Sequence, residues 1–144
     1  MTLSFMPAQP EDSEPIFALA KNLIDRYEDL SQINYPKVLN CVRRKINNQI
    51  GDYTRICLNS EMVGYYHLAD EEDRTELDDF YVLPCLQGQG IGTAALQHCM
   101  QLTGKPIYLY VFKANFRAIA LYERFGFRKE QDVGTTRMIL VREG

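Results

Sequence analysis

Apolar residues in the first third of the chain recur every three or four positions, a spacing typical of amphipathic helices. A short apolar run, TLSFMPA, predicts a strand before them. The first helical face consists of Ile16, Leu19, Ala20, Leu23, Ile24, Tyr27 and Leu30. The preceding polar residues, Asp12 to Pro15, include N-cap candidates and an early proline. A second helix is predicted from near Pro36 to Gly51, and its apolar face consists of Val38, Val42, Ile46 and Ile50.

The middle of the chain contains runs rich in β-branched and aromatic residues, which predict strands. TRICLN and MVGYYHL, separated by the turn-like Ser60-Glu61, predict a hairpin. TELDDFYV, PIYLYVF, FRKEQ and TRMILV predict four further strands. Two helices lie among them. One follows LQGQGIGT and runs to about Leu102, and the other, NFRAIALYERFG, has Asn115 as its cap and Gly126 as its stop.

The element order βααβββαβαββ predicts an α/β domain over residues 1–144, with helices on both faces of the sheet. One strand breaks the alternation expected of its type. Leu77, Phe80 and Val82 are the expected core residues, yet the first two are three positions apart. A period of two therefore requires an extra residue to bulge out near Asp78-Asp79. Such a bulge splays the strand just before the glycines and opens a slot in the sheet.

Composition excludes several classes of function. Of 144 residues 46% are apolar and 24% are charged, as in ordinary globular proteins, and the net charge of −3 gives no basic field for nucleic acid. No apolar run approaches the roughly 20 residues of a membrane span, and the amino terminus lacks a signal-peptide pattern, so we expect a cytoplasmic protein without a membrane partner. The four cysteines form no CxxC pair and the only histidines are His67 and His98, which disfavours a metal site. Both histidines are expected to be structural.

The segment Leu86 to Thr93, LQGQGIGT, places three glycines at alternate positions directly before a helix. Glycine permits positive φ and lets another molecule approach backbone N–H groups. Because a helix start gathers unpaired N–H donors and the positive end of the macrodipole, the loop predicts an anion site, most simply for phosphate. Two familiar phosphate loops do not fit. The dinucleotide fingerprint needs glycine at Thr93, and a Walker loop needs Ser or Thr at Pro106, after Gly-Lys.

In context, the glycines resemble the phosphate loop of the GCN5-related N-acetyltransferase (GNAT) family. The matching features are a strand with VxP, the loop pattern Gln87-x-x-Gly90-x-Gly92, a helix, and NFRAIALYERFGF about two dozen residues later. The resemblance is close from Glu76 to Phe127, and the element order agrees with the family's fold along the whole chain. It implies a single GNAT domain with a mixed, mostly antiparallel sheet of about seven strands, split by the bulge at strand 4.

The resemblance also implies acetyl-CoA as co-substrate, with no metal. In this family the main chain of the splayed strand pairs with the pantetheine arm, a role that falls here to Phe80, Tyr81, Val82 and Leu83. The pyrophosphate is then held by the loop residues Gln87, Gly88, Gln89, Gly90, Ile91, Gly92 and Thr93. Gln87 stands where many relatives have arginine and brings no charge. Asn115 matches an asparagine that reaches the cofactor arm, and it also serves as a helix cap.

Catalytic roles follow from the same resemblance. Tyr122 matches the tyrosine that relatives use as general acid toward the departing CoA thiolate, and a phenol is a fair proton match for a thiol. Its alternative role is that of a core aromatic, since it shares an apolar helix face with Ile119 and Phe125. Because an ammonium has no lone pair, the amine must also lose a proton to a base. The candidates are the carboxylates of the bulged strand, Glu76, Asp78 and Asp79. Arg117 and Arg124 flank Tyr122 and either approach the CoA phosphates or are solvated.

These features predict an N-acetyltransferase that moves an acetyl group from acetyl-CoA to a primary amine of a small molecule or peptide, by direct attack in a ternary complex. The acidic run Asp70 to Asp73, expected in a solvated hairpin loop, and the carboxylates of the bulged strand favour a cationic acceptor such as a polyamine, an aminoglycoside or a lysine side chain. The rival function is a non-catalytic, CoA-binding regulatory module on the same fold. Homodimers are common among such folds.

Overall fold

The structure of the protein is a computed structural model that describes residues 1–144. Seven strands form one sheet in the order β1-β2-β3-β4-β5-β7-β6. The strands are β1 (Leu3–Pro7), β2 (Tyr53–Leu58), β3 (Glu61–Asp70), β4 (Thr75–Val82), β5 (Ile107–Phe112), β6 (Arg128–Val133) and β7 (Arg137–Arg142). Every neighbouring pair is antiparallel except β4 and β5, which are parallel. The predicted mixed, mostly antiparallel sheet is confirmed.

The helices cover both faces of the sheet. They are α1 (Ser13–Tyr27), α2 (Tyr35–Gln49), α3 (Ile91–Gln101) and α4 (Phe116–Arg124). A core that includes Ile16 and Ile46 packs α1 and α2 on one face, and a larger core that includes Leu96 and Phe127 packs α3 and α4 on the other. None of the helices has the length and apolar character that crossing a membrane requires.

Some helix ends lie where the local sequence predicts them and others do not. Asn115 caps α4 as predicted, because its side-chain oxygen accepts from the Ala118 N–H at 3.3 Å. Asp12 does not cap α1, since its carboxylate accepts from the N–H of Gln9 in a short 3₁₀ turn before the helix. α1 ends at Tyr27, so Leu30 lies in a separate 3₁₀ turn rather than on the helix face.

The hairpin between β2 and β3 turns at Asn59-Ser60, one residue earlier than predicted. Both residues have positive φ, 54° and 67°. This conformation is typical of two-residue hairpin turns, whose twist matches that of the flanking strands.

β4 carries the predicted bulge, and Asp78 is the extra residue. His67 on β3 faces Asp79, and the next pair along the ladder is Leu68 with Leu77, so Asp78 has no partner. As a result Leu77 and Phe80, three positions apart, both pack into the core under α3 and α4.

β4 and β5 separate immediately after they meet. They pair only at Thr75 with Ile107 and Glu76 with Tyr108. Beyond Glu76, β4 keeps its ladder with β3 but has none with β5, which leaves an unpaired strand edge inside the sheet. The bulge and the short parallel pairing together open the slot that the sequence predicted.

Candidate functional site

Six consecutive backbone N–H groups, from Gly88 to Thr93, have no acceptor within the protein. Three belong to the loop, and three belong to the first turn of α3, where no intrahelical partner exists. The loop places these donors through positive φ at Gly88 and Gly90, 86° and 84°, a region that other residues rarely adopt. Free donors at a helix start favour an anion. The phosphate cradle formed by these residues stays a prediction.

Two guanidinium groups flank this cradle. Arg124 donates to the Thr93 hydroxyl at 3.1 Å, and Arg117 Nη2 lies 2.9 Å from the position that a Cβ at Gly88 would take. Both arginines are exposed and lie beside the loop, so their approach to the CoA phosphates stays a prediction. Gln87 is used differently, since its Nε2 donates to the Val82 carbonyl at 3.3 Å and fastens the loop to the end of β4.

The unpaired edge of β4 ends at this loop. Phe80 and Val82 pack into the core under α3 and α4 and Tyr81 into the opposite core, so their side chains are anchored while the main chain lies at the edge. Leu83 already uses its main-chain groups, since its N–H donates to the Val63 carbonyl and its carbonyl accepts from the Leu86 N–H, both at 2.9 Å. Because hydrogen bonds alternate along an antiparallel pair, the main-chain groups of Tyr81 also face β3, and those of Phe80 and Val82 face the unpaired edge. Asn115 caps α4, and its side-chain nitrogen has no protein acceptor.

Tyr122 lies on α4 with its ring in the core and its hydroxyl unpaired. The side chain is 7% exposed and packs on Phe80 and Phe127, at centroid distances of 6.4 and 5.5 Å. The hydroxyl has no protein hydrogen-bond partner. Burial, with the charges of Cys99 and Asp79, raises the pKa of Tyr122, so the phenol keeps its proton at neutral pH. The ring is thus part of the core, and its hydroxyl remains available as a proton donor.

On the α2 side of the sheet, the bulge borders a cleft of about 540 Å³. Four carboxylates line it, against one ammonium group, that of Lys45. The carboxylates belong to Asp52, Asp70, Glu76 and Asp78. Of the acidic run, Asp70 lies at the end of β3 and lines the cleft, while Glu72 and Asp73 are exposed outside it.

The three candidate carboxylates have different environments, and Asp79 is the most enclosed. Its oxygens accept from the hydroxyl groups of Tyr53 and Tyr81, the latter at 2.9 Å, and from Lys45 Nζ at 3.0 Å. Burial raises the pKa of Asp79 in spite of the Lys45 charge. With its acceptor positions filled, Asp79 positions its neighbours and does not line the cleft.

Asp78 and Glu76 do line the cleft. Asp78 Oδ2 lies 2.8 Å from His67 Nδ1 and 2.6 Å from Lys45 Nζ. Burial acts to raise the pKa of Asp78, but the hydrogen bond from His67 and the Lys45 charge outweigh it and hold the pKa below its ordinary value. The pKa of Glu76 is raised by burial and by the charges of Asp78 and Glu71.

Three residues of the cleft were not selected from the sequence as functional candidates. His67, expected to be structural, bonds to Asp78 and lines the cleft, while Lys45 and Asp52 reach it from α2 and the turn that follows. His67 could have been identified from its place in the strand, because it pairs directly with Asp79 at the predicted bulge. Lys45 and Asp52 have no local signal, because their position depends on how α2 packs on the sheet.

Comparisons with known proteins agree with this geometry. The model of the acetyltransferase (GNAT) family matches residues 18–127. The spermine/spermidine N(1)-acetyltransferase of Bacillus subtilis (strain 168) is 40% identical over 75 residues, which are 46% of this chain and 49% of that protein. The match thus spans about half the length of this curated relative.

Solved structures share the fold at low identity. A PaiA N-acetyltransferase from Thermoplasma acidophilum, in complex with coenzyme A, gives a TM-score of 0.77 at 18% identity and full coverage of both chains. An acetyltransferase from Thermus thermophilus gives 0.75 at 24% identity, with 100% of this chain and 98% of that chain covered. The ribosomal-protein-S18-alanine N-acetyltransferase of Escherichia coli gives 0.67 at 19% identity, covering 99% and 94%. Since the family model covers most of the chain and the fold agrees throughout, the protein belongs to the GNAT acetyltransferase family.

Proposed function

We propose that residues 1–144 form one catalytic domain, an N-acetyltransferase that moves the acetyl group of acetyl-CoA to a primary amine of a cationic, polyamine-like acceptor. The observation that carries the choice of acceptor is the cleft beside the bulge, where four carboxylates face one lining ammonium group, and only Asp70 has a further cation, Lys105, with Nζ at 3.1 Å. An acceptor with two or more ammonium groups offsets this excess of negative charge. The Bacillus subtilis relative, named for spermine and spermidine, supports the same acceptor class.

The residues present fit acetyl-CoA. The six free N–H groups and Arg117 provide for a pyrophosphate, and the unpaired β4 edge provides main-chain groups for an extended amide-bearing arm. Of the four predicted strand contacts, Phe80 and Val82 are proposed to bond this arm, because the main-chain groups of Tyr81 face β3 and those of Leu83 are already paired. Asn115 is proposed to reach the arm with its free amide nitrogen. Bound acetyl-CoA supplies the thioester that the amine attacks.

The protein's own groups divide the remaining tasks. Tyr122 is proposed to protonate the departing thiolate through its free hydroxyl; its raised pKa keeps the phenol protonated and also makes it a weaker acid than an ordinary tyrosine. Glu76 and Asp78 are proposed to attract and orient the acceptor ammonium from the cleft wall. Attack is direct, within a ternary complex, so the chain needs no covalent intermediate.

A panel of amines tests this proposal, with thiol release from acetyl-CoA as the readout. The panel contains spermidine, a monoamine of similar length, and the anionic amino acid glutamate. We expect kcat/KM for spermidine to exceed that for the monoamine by about tenfold, because a second ammonium adds roughly one charge-assisted contact. Turnover restricted to glutamate or to neutral amines would overturn the assignment of the acceptor.

The same panel distinguishes the enzyme from a second candidate function, that of a non-catalytic CoA-binding module. It predicts that acetyl-CoA raises the unfolding temperature while no amine releases thiol. The hydroxyl of Tyr122 favours the enzyme, since it has no hydrogen-bond partner in the protein and stays accessible although the ring is buried.

A further inference from the structure

The ring of His67 is held in one orientation by contacts from two neighbouring strands, β2 and β4. Its Nδ1 lies 2.8 Å from Asp78 Oδ2, and its face stacks on Tyr53 of β2 at a centroid distance of 4.8 Å. The residue pairs across the ladder with Asp79, at the point where β4 bulges. Such fixed geometry at a cleft wall is what a proton-transfer group requires.

The hydrogen bond to Asp78 determines which nitrogen carries the proton. An ionised carboxylate only accepts hydrogen bonds, so Nδ1 must be the donor, and the neutral ring then has its lone pair on Nε2. His67 lines the cleft, and its Nε2 has no hydrogen-bond partner within the protein. The free lone pair is therefore available to a molecule in the cleft.

We propose that His67 is the general base of the acetyl transfer and that Asp78, the bulge residue, is its positioning residue. This inference rests on the proposed function. It replaces the expectation that one of the three carboxylates of β4 takes the proton. Asp79 has its oxygens occupied, and Oδ2 of Asp78 is shared by His67 and Lys45, which weakens this carboxylate as a base. Glu76 remains as the competing base because it lines the same cleft.

The reaction proceeds in the following steps, in which every proton is accounted for. His67 Nε2, directly or through one water molecule, takes a proton from the acceptor ammonium, and the freed lone pair forms the C–N bond with the thioester carbon. The C–S bond breaks, and the thiolate takes a proton from Tyr122. The second N–H proton, lost as the amide forms, restores the Tyr122 phenol, while His67 returns its proton to solvent. The products are the N-acetyl amine, the CoA thiol and one proton.

The test compares pH profiles of kcat with spermidine and saturating acetyl-CoA for the wild type, H67N, D78N, E76Q and H98N. Asn at position 67 keeps a donor for Asp78 but has no basic nitrogen. His98 is the matched control, since it stacks on Phe5 and bonds to Tyr66, outside the cleft. The ionisable groups that face His67 or share its cleft are Lys45, Asp52, Tyr53, Asp70, Glu76, Asp78 and Asp79.

We expect wild type, H98N and E76Q to share an acidic limb, on which kcat falls as the base is protonated. H67N should lose that limb and about 10²-fold of kcat, with the same unfolding temperature as the wild type to within a few degrees. D78N should lose kcat as well, because an amide can donate to Nδ1 and turn the lone pair away from the cleft. A sixth protein, H67A, is added to the comparison, and imidazole should restore part of its activity.

Two results would overturn the inference: an H67N profile that keeps the acidic limb and most of kcat, or an E76Q profile that loses the limb while H67N keeps it. Absence of turnover in the wild type is a different outcome, because it rejects the proposed function itself. The two failures are therefore distinguishable in one experiment.

Discussion

The guanidinium group of Arg117 lies against the backbone of Gly88, with Nη2 2.9 Å from the position of an added Cβ. This contact places a positive charge beside six free N–H groups, at a loop whose Gln87 brings none. Arg117 on α4 thus brings to this loop the positive charge that Gln87 lacks. It follows that R117A should weaken binding of acetyl-CoA.

For R117A we expect the Kd of acetyl-CoA to rise about tenfold at low salt, with a smaller rise at high salt because salt screens the contact. Isothermal titration measures both. R128A is the matched control, since Arg128 is exposed on β6, away from the loop. Equal affinities of R117A and R128A would contradict the role of Arg117.

Y122F should lower kcat by about 10²-fold and leave the KM for acetyl-CoA nearly unchanged, because only the proton donor is removed. Steady-state kinetics with spermidine measure the effect. Y66F is the control, as Tyr66 is a buried tyrosine of the same core. Full activity of Y122F would leave Tyr122 with its core role alone.

E76Q should raise the KM for spermidine about fivefold near neutral pH, as expected for the loss of one partly screened charge pair. Since burial and the charges of Asp78 and Glu71 raise the pKa of Glu76, its carboxylate forms only as the pH rises through that raised value. The difference between E76Q and the wild type should therefore shrink in acid. E72Q serves as control because Glu72 is exposed outside the cleft, and a KM change in E72Q equal to that in E76Q would argue against the cleft as the acceptor site.

D12N should lower the free energy of unfolding by about 1–3 kcal/mol at pH 7, because it removes a buried acceptor. Asp12 accepts from Arg55 and Tyr65, both at 2.6 Å, and from the Gln9 N–H at 2.8 Å. Burial opposes ionisation, yet these donors outweigh it and hold the pKa of Asp12 below its ordinary value.

The sign of the pH dependence follows from that lowered pKa. The contribution of Asp12 is complete above the unfolded-state pKa of about 3.9 and is lost as the pH falls through the lower folded-state value. The gap in stability between wild type and D12N should thus be constant from about pH 5 to 7 and narrow below about pH 4. Urea unfolding at several pH values measures it, with D73N as an exposed control. A gap that widens in acid would contradict this account of Asp12.

The features that could be predicted from the sequence are those that neighbouring residues determine. The spacing of Leu77 and Phe80 located the bulge, since core residues three apart cannot share a face of a regular strand. Asn115 was identifiable as a cap from its place before an apolar helical run. The cradle was predicted in the same way, from glycines directly before a helix.

Other features depend on register and packing between distant segments. The contact of His67 with Asp78 requires both the β3–β4 pairing and the bulge, and the ion pairs of Lys45 require the position of α2 on the sheet. Neither is encoded by spacing along the chain. For this reason the pattern named three candidate bases on one strand, while the structure separates a buried carboxylate from two that line the cleft.

The most direct test of the central claim is product analysis by mass spectrometry after incubation of the protein with acetyl-CoA and spermidine. The account predicts spermidine carrying one added acetyl group, formed in equal amount to free CoA thiol, and about 10²-fold more slowly with Y122F. Thiol without acetylated amine, or neither product while acetyl-CoA still raises the unfolding temperature, would contradict it.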